Sequence, residues 1–272
     1  MTVASAPRIR LPRLRKVSVS GLAVASSGIV VLLLLWELLS RTDVLPSRYF
    51  PPASVVLAQL GELLGTPALW RVVGLTLQSW ALGLGIAVAI AVPLGVVLGS
   101  SDRAYRFCRV VIEVLRPIPP VVLIPLALLV LGASLQMKLL LIVYGAVWPL
   151  LLQTIYGVRG VDPQALEMAR AYRLTRLQRF TVVRLAGASP YIATGIRISA
   201  TIALIVAIVA ELVGGAPGLG HDILLAQAAG ANALMYALIL VTGGLGVVLV
   251  MVFQRLERAV LFWHPSQRGA VS

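Results

Sequence analysis

Glu167 and the arginine row Arg170, Arg173, Arg176, Arg179 and Arg184 form the densest group of charged side chains in this sequence. The first four arginines recur every third residue. That spacing suits a basic helix facing solvent, lipid phosphates or an acidic partner, and it offers no acid–base pair for catalysis. Other residues able to do chemistry are sparse. Cys108 is the sole cysteine, so no intrachain disulfide forms and no Cys/His metal spacing exists. His221 and His264 lie far apart in sequence, which argues against a paired metal site, and neither forms a nucleophile pair with Cys108. No G-x-x-x-x-G-K-[ST] loop is present, so ATP is not bound by that route. The GAPGLG run at 215–220 follows no strand and reads as a tight turn rather than a phosphate cradle. Ten acids scattered over the chain argue against an integral membrane enzyme, which would cluster His, Asp or Glu at one membrane face.

The elements that carry these residues are set by composition. The chain has 272 residues, 59% hydrophobic and only 12% charged. A soluble domain carries about 25% charged residues, so the solvent for most of this chain is lipid. The net charge of +13 does not point to nucleic acid, because the charges sit in short loops between apolar runs. Six such runs read as spans: 21–39, 72–99, 110–131, 139–156, 191–212 and 234–253. Residues 1–20 form a basic tail. The first run is longer than a signal-peptide core and is followed by no small-residue cleavage site, so it reads as an uncleaved span.

Domain organisation follows from these runs. The tail of 1–20 precedes the first span and an external or interfacial segment, 21–71, in which 54–64 reads as a short helix capped by Ser54. The transmembrane core covers 72–254, and 255–272 is a second tail. Seventeen of the 23 basic residues fall on one side of this arrangement and four on the other: Arg41, Arg48, Arg71 and Lys138. The bias places both termini in the cytoplasm, as an even number of spans requires.

Three places in the core break the pattern. Gly95 and Gly99 form a G-x-x-x-G pair, which admits a neighbouring helix. Pro117, Pro119, Pro120 and Pro125 interrupt the third span. The expected form is a helix near the cytoplasmic surface, a break at 117–120 and then a membrane helix, facing protein or a water-filled path. Pro117, Pro119 and Pro120 are accordingly candidates for lining or gating a path, against the alternative of a packed kink. Glu113 and Arg116 are spaced to pair on one helix face. Arg197 and Glu211 lie near the two ends of the fifth span, where both can snorkel to the interfaces. Glu211 is also a candidate for meeting a solute.

The segment 162–186 between spans four and five opens with Asp162 as N-cap and Pro163 at the first helical position. Glu167-Met168-Ala169, Arg173 and Val183-Arg184-Leu185-Ala186 resemble the EAA motif of ABC importer permeases: E-A-A, three residues, G, nine residues, I-x-L-P. Met168 stands at the second Ala, Arg173 at the Gly and Ala186 at the Pro. The likeness extends through LPSRYFPP at 45–52, RPIPPVVLIPL at 116–126, the stretch 195–220 and WHP at 263–265. Together these are similar to the sulfonate, taurine and nitrate branch of the family.

The resemblance implies an all-α polytopic subunit of about six transmembrane helices in a bacterial inner membrane. It implies a second permease subunit, two cytoplasmic ATPase subunits that carry the ATP and magnesium, and an extracytoplasmic solute-binding protein. No cofactor is implied on this chain. Glu167, Met168, Ala169, Arg170 and Arg173 would then lie at the ATPase contact. A glycine in the position of Arg173 turns the chain at positive φ, which an arginine adopts only with strain of about 1–2 kcal/mol. So either the turn or the docking geometry should differ here. An ion-coupled secondary transporter is the alternative. It would usually need internal repeats and ionisable groups near the membrane midplane.

Overall fold

The computed structural model of the chain describes residues 19–42 and 44–260. Helices fill them: α1 (Val19–Arg41), α2 (Ala53–Leu64), α3 (Pro67–Ser100), α4 (Asp102–Leu115), α5 (Ile124–Leu131), α6 (Leu135–Arg159), α7 (Pro163–Ala171), α8 (Arg176–Gln178), α9 (Ala186–Gly214), α10 (Leu219–Ala228) and α11 (Asn232–Val260). A 3-10 turn, Pro120–Leu123, leads into α5, and a π-helical stretch, Arg179–Leu185, joins α8 to α9. No strand occurs among the described residues. The basic tail read at 1–20 lies outside them apart from the start of α1, as does the WHP triplet.

Four helical stretches among the described residues are long and apolar enough to cross a membrane singly: α3, α6, the 39-residue run Arg176–Gly214, and α11. The helix–break–helix expected at the third apolar run is present. The α4 axis and the Pro120–Leu131 segment meet at 77°. Pro117, Pro119 and Pro120 remove three amide donors within four residues, so no helix can carry through.

Helix α6 is the centre of the bundle, with α3 on one side and α9 on the other. Small residues let the backbones approach. Along α3 these are Gly83, Ala87, Ala91, Gly95 and Gly99, one every four residues. A Cβ on Gly83 would fall 2.4 Å from Ile142 Cγ2, and one on Gly95 2.6 Å from Thr154 Cβ. The pair Gly95 and Gly99 therefore does what its spacing suggests. On the other side of α6, Gly157 packs under Tyr191 and Gly195 over Leu150. Hydroxyl and indole donors add polar ties: Ser199 Oγ donates to the Ala146 carbonyl at 2.7 Å, and Trp80 Nε1 to that of Ala200 at 2.9 Å. By contrast α11 buries little beyond Ala237 and Leu238 and presents an apolar outer face. That is the expected surface of a helix in contact with lipid or another membrane subunit.

Several local expectations change. Ser54 is not the cap of α2; Pro52 occupies that position. Ser54 lies inside the helix, where its amide and hydroxyl donate to the Glu37 carboxylate of α1 at 2.9 and 2.8 Å. An unpaired amide in the first turn is thus satisfied by a carboxylate from a neighbouring helix. Glu113 pairs with Arg109 at 2.7 Å rather than with Arg116, which ends α4 and turns towards a cavity instead. The glycine-rich connection after the fifth apolar run contains a further helix, α10. The helix of the sixth run continues to Val260, so the segment assigned to the second tail begins in helix.

Candidate functional site

The segment 162–186 folds as its sequence dictates. The Asp162 side chain accepts from the Gln164 amide at 2.8 Å, and Pro163 takes the first helical position, where no amide donor is needed. Nine residues later α7 ends in a paired closure. The Leu174 amide donates to the Ala169 carbonyl at 3.0 Å and the Arg173 amide to that of Arg170 at 2.9 Å. This is the Schellman arrangement, which places one residue in the left-handed region. That residue is Arg173, at φ 55°. The tight turn survives the replacement of glycine by arginine, so the backbone strain is real and local. Arg173→Gly is expected to raise stability by about 1 kcal/mol, the left-handed strain less the extra unfolded-state entropy of glycine. The check is the Tm in mild detergent. A fall in Tm would assign the Arg173 side chain a contact worth more than the strain.

Thr175 then opens the next helix with a capping box. Its hydroxyl accepts from the Gln178 amide at 3.3 Å, and Gln178 Oε1 accepts from the Thr175 amide at 2.9 Å. Beyond it the π-helical turn Arg179–Leu185 widens the helix without ending it. One 39-residue run reaches from Arg176 to Gly214, with Ala186 adding its amide to the ladder and Pro190 carried inside the helix. Ala169 is buried against this run, while Glu167, Met168, Arg170 and Arg173 face outward. Met168, Tyr172 and Leu177 are exposed large apolar side chains set among the arginines. An exposed patch that is apolar and basic together is suited to a protein partner with acids at its rim.

A second concave region lies at the proline break. Arg116, Ile118 and Pro120 face Trp148, Pro149, Gln153 and Tyr156 of α6 and Ile202 and Val206 of α9 across a cavity of about 520 Å3. Pro120 is part of its wall, whereas Pro117 and Pro119 are exposed beside it. Tyr144 Oη donates to the Leu115 carbonyl at 2.7 Å and holds the end of α4 against α6. A cavity with one guanidinium, one amide and aromatic walls can admit a small polar anion.

Glu211 does not line this cavity and does not snorkel. It is 0% exposed. Lys138 Nζ donates to its Oε1 at 2.9 Å, and Thr76 Oγ1 and the Gly220 amide donate to its Oε2 at 3.0 and 3.1 Å. Lys138, expected in an exposed outer turn, lies inside α6 and is equally buried. Arg197 pairs with Glu257 of α11 at 3.2 Å instead of reaching an interface alone. Sequence reasoning missed these partnerships because each joins residues far apart in the chain. The available signal was an acid inside a long apolar run, a placement that calls for a named partner.

A bundle of long apolar helices, a proline-broken segment beside a cavity and a capped helical elbow at one face together define a membrane transport subunit. Residues 91–262 match the family described as binding-protein-dependent transport system inner membrane component. The chain belongs to that family, the permeases of ABC importers. It is 28% identical to the putative aliphatic sulfonates transport permease of Bacillus subtilis (strain 168), over 88% of this chain and 87% of the relative. It is 30% identical to the corresponding Escherichia coli (strain K12) protein, over 85% and 88%, and 28% identical to the taurine transport system permease of that organism, over 87% and 88%. In fold it is similar to a chain of the MetNI methionine ABC transporter in inward-facing conformations, with a TM-score of 0.63 at 22% identity, over 72% of this chain and 99% of the other.

Proposed function

We propose that this chain provides the translocation path for a small oxyanion of the sulfonate, taurine or nitrate type, delivered by a binding protein. The observation that carries the substrate class is Arg116 in the wall of the cavity at the proline break, beside Gln153 and two aromatic rings. The curated relatives named for sulfonates, taurine and nitrate agree with it. Two copies, or this chain and a second permease, enclose the path. Two separate cytoplasmic ATPase subunits bind and hydrolyse ATP, and this chain carries no cofactor of its own. Six spans, with α1 and the bent α4–α5 pair counted as one each, leave both termini on one side, and the excess of basic residues there supports the cytoplasmic side.

In this reading α7 is the coupling helix. Glu167, Met168 and Arg173 stand at the ATPase contact with Arg170 at its edge, while Ala169, also expected there, is buried and supports the helix from behind. Motion at the contact passes into the 39-residue run that borders the cavity. The proline break gives the path a segment that can rearrange without breaking a continuous helix. The sealed Lys138–Glu211 pair belongs to the scaffold rather than to an ion-coupled cycle, since neither group lines the cavity. Glu167→Lys is expected to reduce uptake at least tenfold at equal protein level, because it reverses the one carboxylate on the exposed face of α7 and sets a positive charge against whatever donor of the ATPase meets it. Uptake of a sulfonate in membrane vesicles, with ATPase recovery measured in parallel, makes the check. Unchanged uptake would remove Glu167 from coupling.

A further inference from the structure

Beside the coupling helix, four arginines share one small cavity. Arg170 of α7 and Arg176, Arg179 and Arg184 of the following run enclose about 260 Å3 together with Leu166 and Phe180. None of these arginines takes part in an ion pair among the described residues. Arg179 and Arg184 are half-buried, and Nε of Arg179 is buried with no hydrogen-bond partner. Like charges that converge and lose water are unfavourable unless an anion sits among them.

The height of the cavity narrows the choice of anion. Gly157 and Gly160, at the end of α6, adjoin Ala188 and Tyr191 of α9. That end of α6 marks a membrane face. Arg184 lies about one helical turn, roughly 6 Å, beyond Ala188, which is the level of lipid headgroups. At about 260 Å3 the cavity has no room for a helix of about 10–12 Å diameter. It is ample for a phosphate, whose oxygens match guanidinium forks two at a time. Leu166 and Phe180 supply an apolar wall for the glycerol end. The exposed face of α7 with Glu167, Met168 and Tyr172 is a separate surface and stays free for a protein partner.

We propose that the arginine cavity binds the phosphate of an anionic phospholipid headgroup from the adjoining leaflet, bracing α7 against the long helix. Basic pockets beside membrane helices are recurrent headgroup sites. The inference rests on the permease reading only for the placement of this end of α6 and α9 at a membrane face.

The test titrates the purified transporter complex, held in neutral detergent, with phosphatidylglycerol and follows the unfolding midpoint. A saturable rise is expected, with none from phosphatidylcholine. The double variant Arg179→Gln/Arg184→Gln should need about a hundredfold more lipid, tenfold for each charged donor removed. Arg179→Lys/Arg184→Lys should retain part of the response. If the glutamine pair does not fold, the exposed Arg176→Gln alone should show a tenfold loss. The same rise with inorganic phosphate in place of lipid would overturn the lipid assignment. So would variants that respond to lipid normally but lose the ATPase on purification, which would give the cavity to acidic side chains of that subunit. The titration does not depend on coupling, so a failure at Glu167 and a failure here are distinguishable.

Discussion

Lys138→Met is expected to abolish the folded chain or cut its yield several-fold, while the double variant Lys138→Met/Glu211→Gln recovers most of it. Lys138 and Glu211 have side chains 4% and 0% exposed, with 2.9 Å between their charged atoms. The lysine also donates to the Pro217 carbonyl at 2.8 Å, and the Leu219 amide donates to Thr76 Oγ1 at 3.0 Å. One carboxylate thereby ties α3, α6 and α9 to the turn that leads into α10. Removing only the lysine leaves a buried carboxylate without its counter-charge, which costs about 3–5 kcal/mol. That is a large part of the roughly 5–15 kcal/mol that holds a typical domain together. Glutamine in place of Glu211 removes the stranded charge and still accepts from Thr76 and Gly220. The measurement is the monodisperse fraction and Tm in mild detergent. A Lys138→Met chain as stable as the parent would show that the pair is not what closes this end of the bundle.

The same network explains a motif that sequence alone described only as a turn. Gly218 lies at φ 155°, and a Cβ there would fall 2.0 Å from Glu211 Cδ. A Cβ on Gly220 would fall 2.2 Å from the Ile208 carbonyl. These glycines are where the turn presses its backbone onto the carboxylate, and their amide side supplies one of its donors. Composition and period could place Glu211 in a helix and the glycines in a turn. They could not join either to Lys138, because that contact spans 73 residues of chain.

What was legible divides along that line. Helix identity, the proline break and the Asp162-Pro163 start depend on neighbours within a few residues, and the sequence carries those neighbours. The small-residue period of α3 was legible at Gly95 and Gly99, though not the partner helix. The Arg173 turn became visible only through a family pattern, since nothing near an arginine announces a positive φ. The pairing of Glu113 with Arg109 was decided by where α4 stops, and element ends are where short-range patterns say least. The convergence of Arg170 with Arg179 and Arg184 needs the elbow between α7 and the long run. A three-residue repeat written along one helix would instead have spread them.

Gly95→Leu is expected to be as damaging as loss of Lys138, whereas Gly85→Leu on the same helix is expected to be tolerated. Nothing lies within 4 Å of a Cβ at Gly85, but a Cβ at Gly95 would fall 2.6 Å from Thr154 Cβ and 3.1 Å from the Leu151 carbonyl. A side chain can move away and a helix backbone cannot, so α3 and α6 must separate. Separation along this seam opens the core of Ala91, Leu98, Ile112, Leu150, Leu151 and Ile155. Overpacking typically costs about 1–3 kcal/mol, and a contact with backbone lies at the upper end or beyond. Thr154→Ala should restore part of the loss, because the Thr154 hydroxyl bonds only to its own Leu150 carbonyl at 2.8 Å and nothing else depends on it. Uptake should fall with Tm for Gly95→Leu, since α6 bears the cavity wall on one side and this seam near the other. Equal Tm for the two glycine variants would mean that α3 and α6 do not meet along this face, and the central position of α6 would have to be given up.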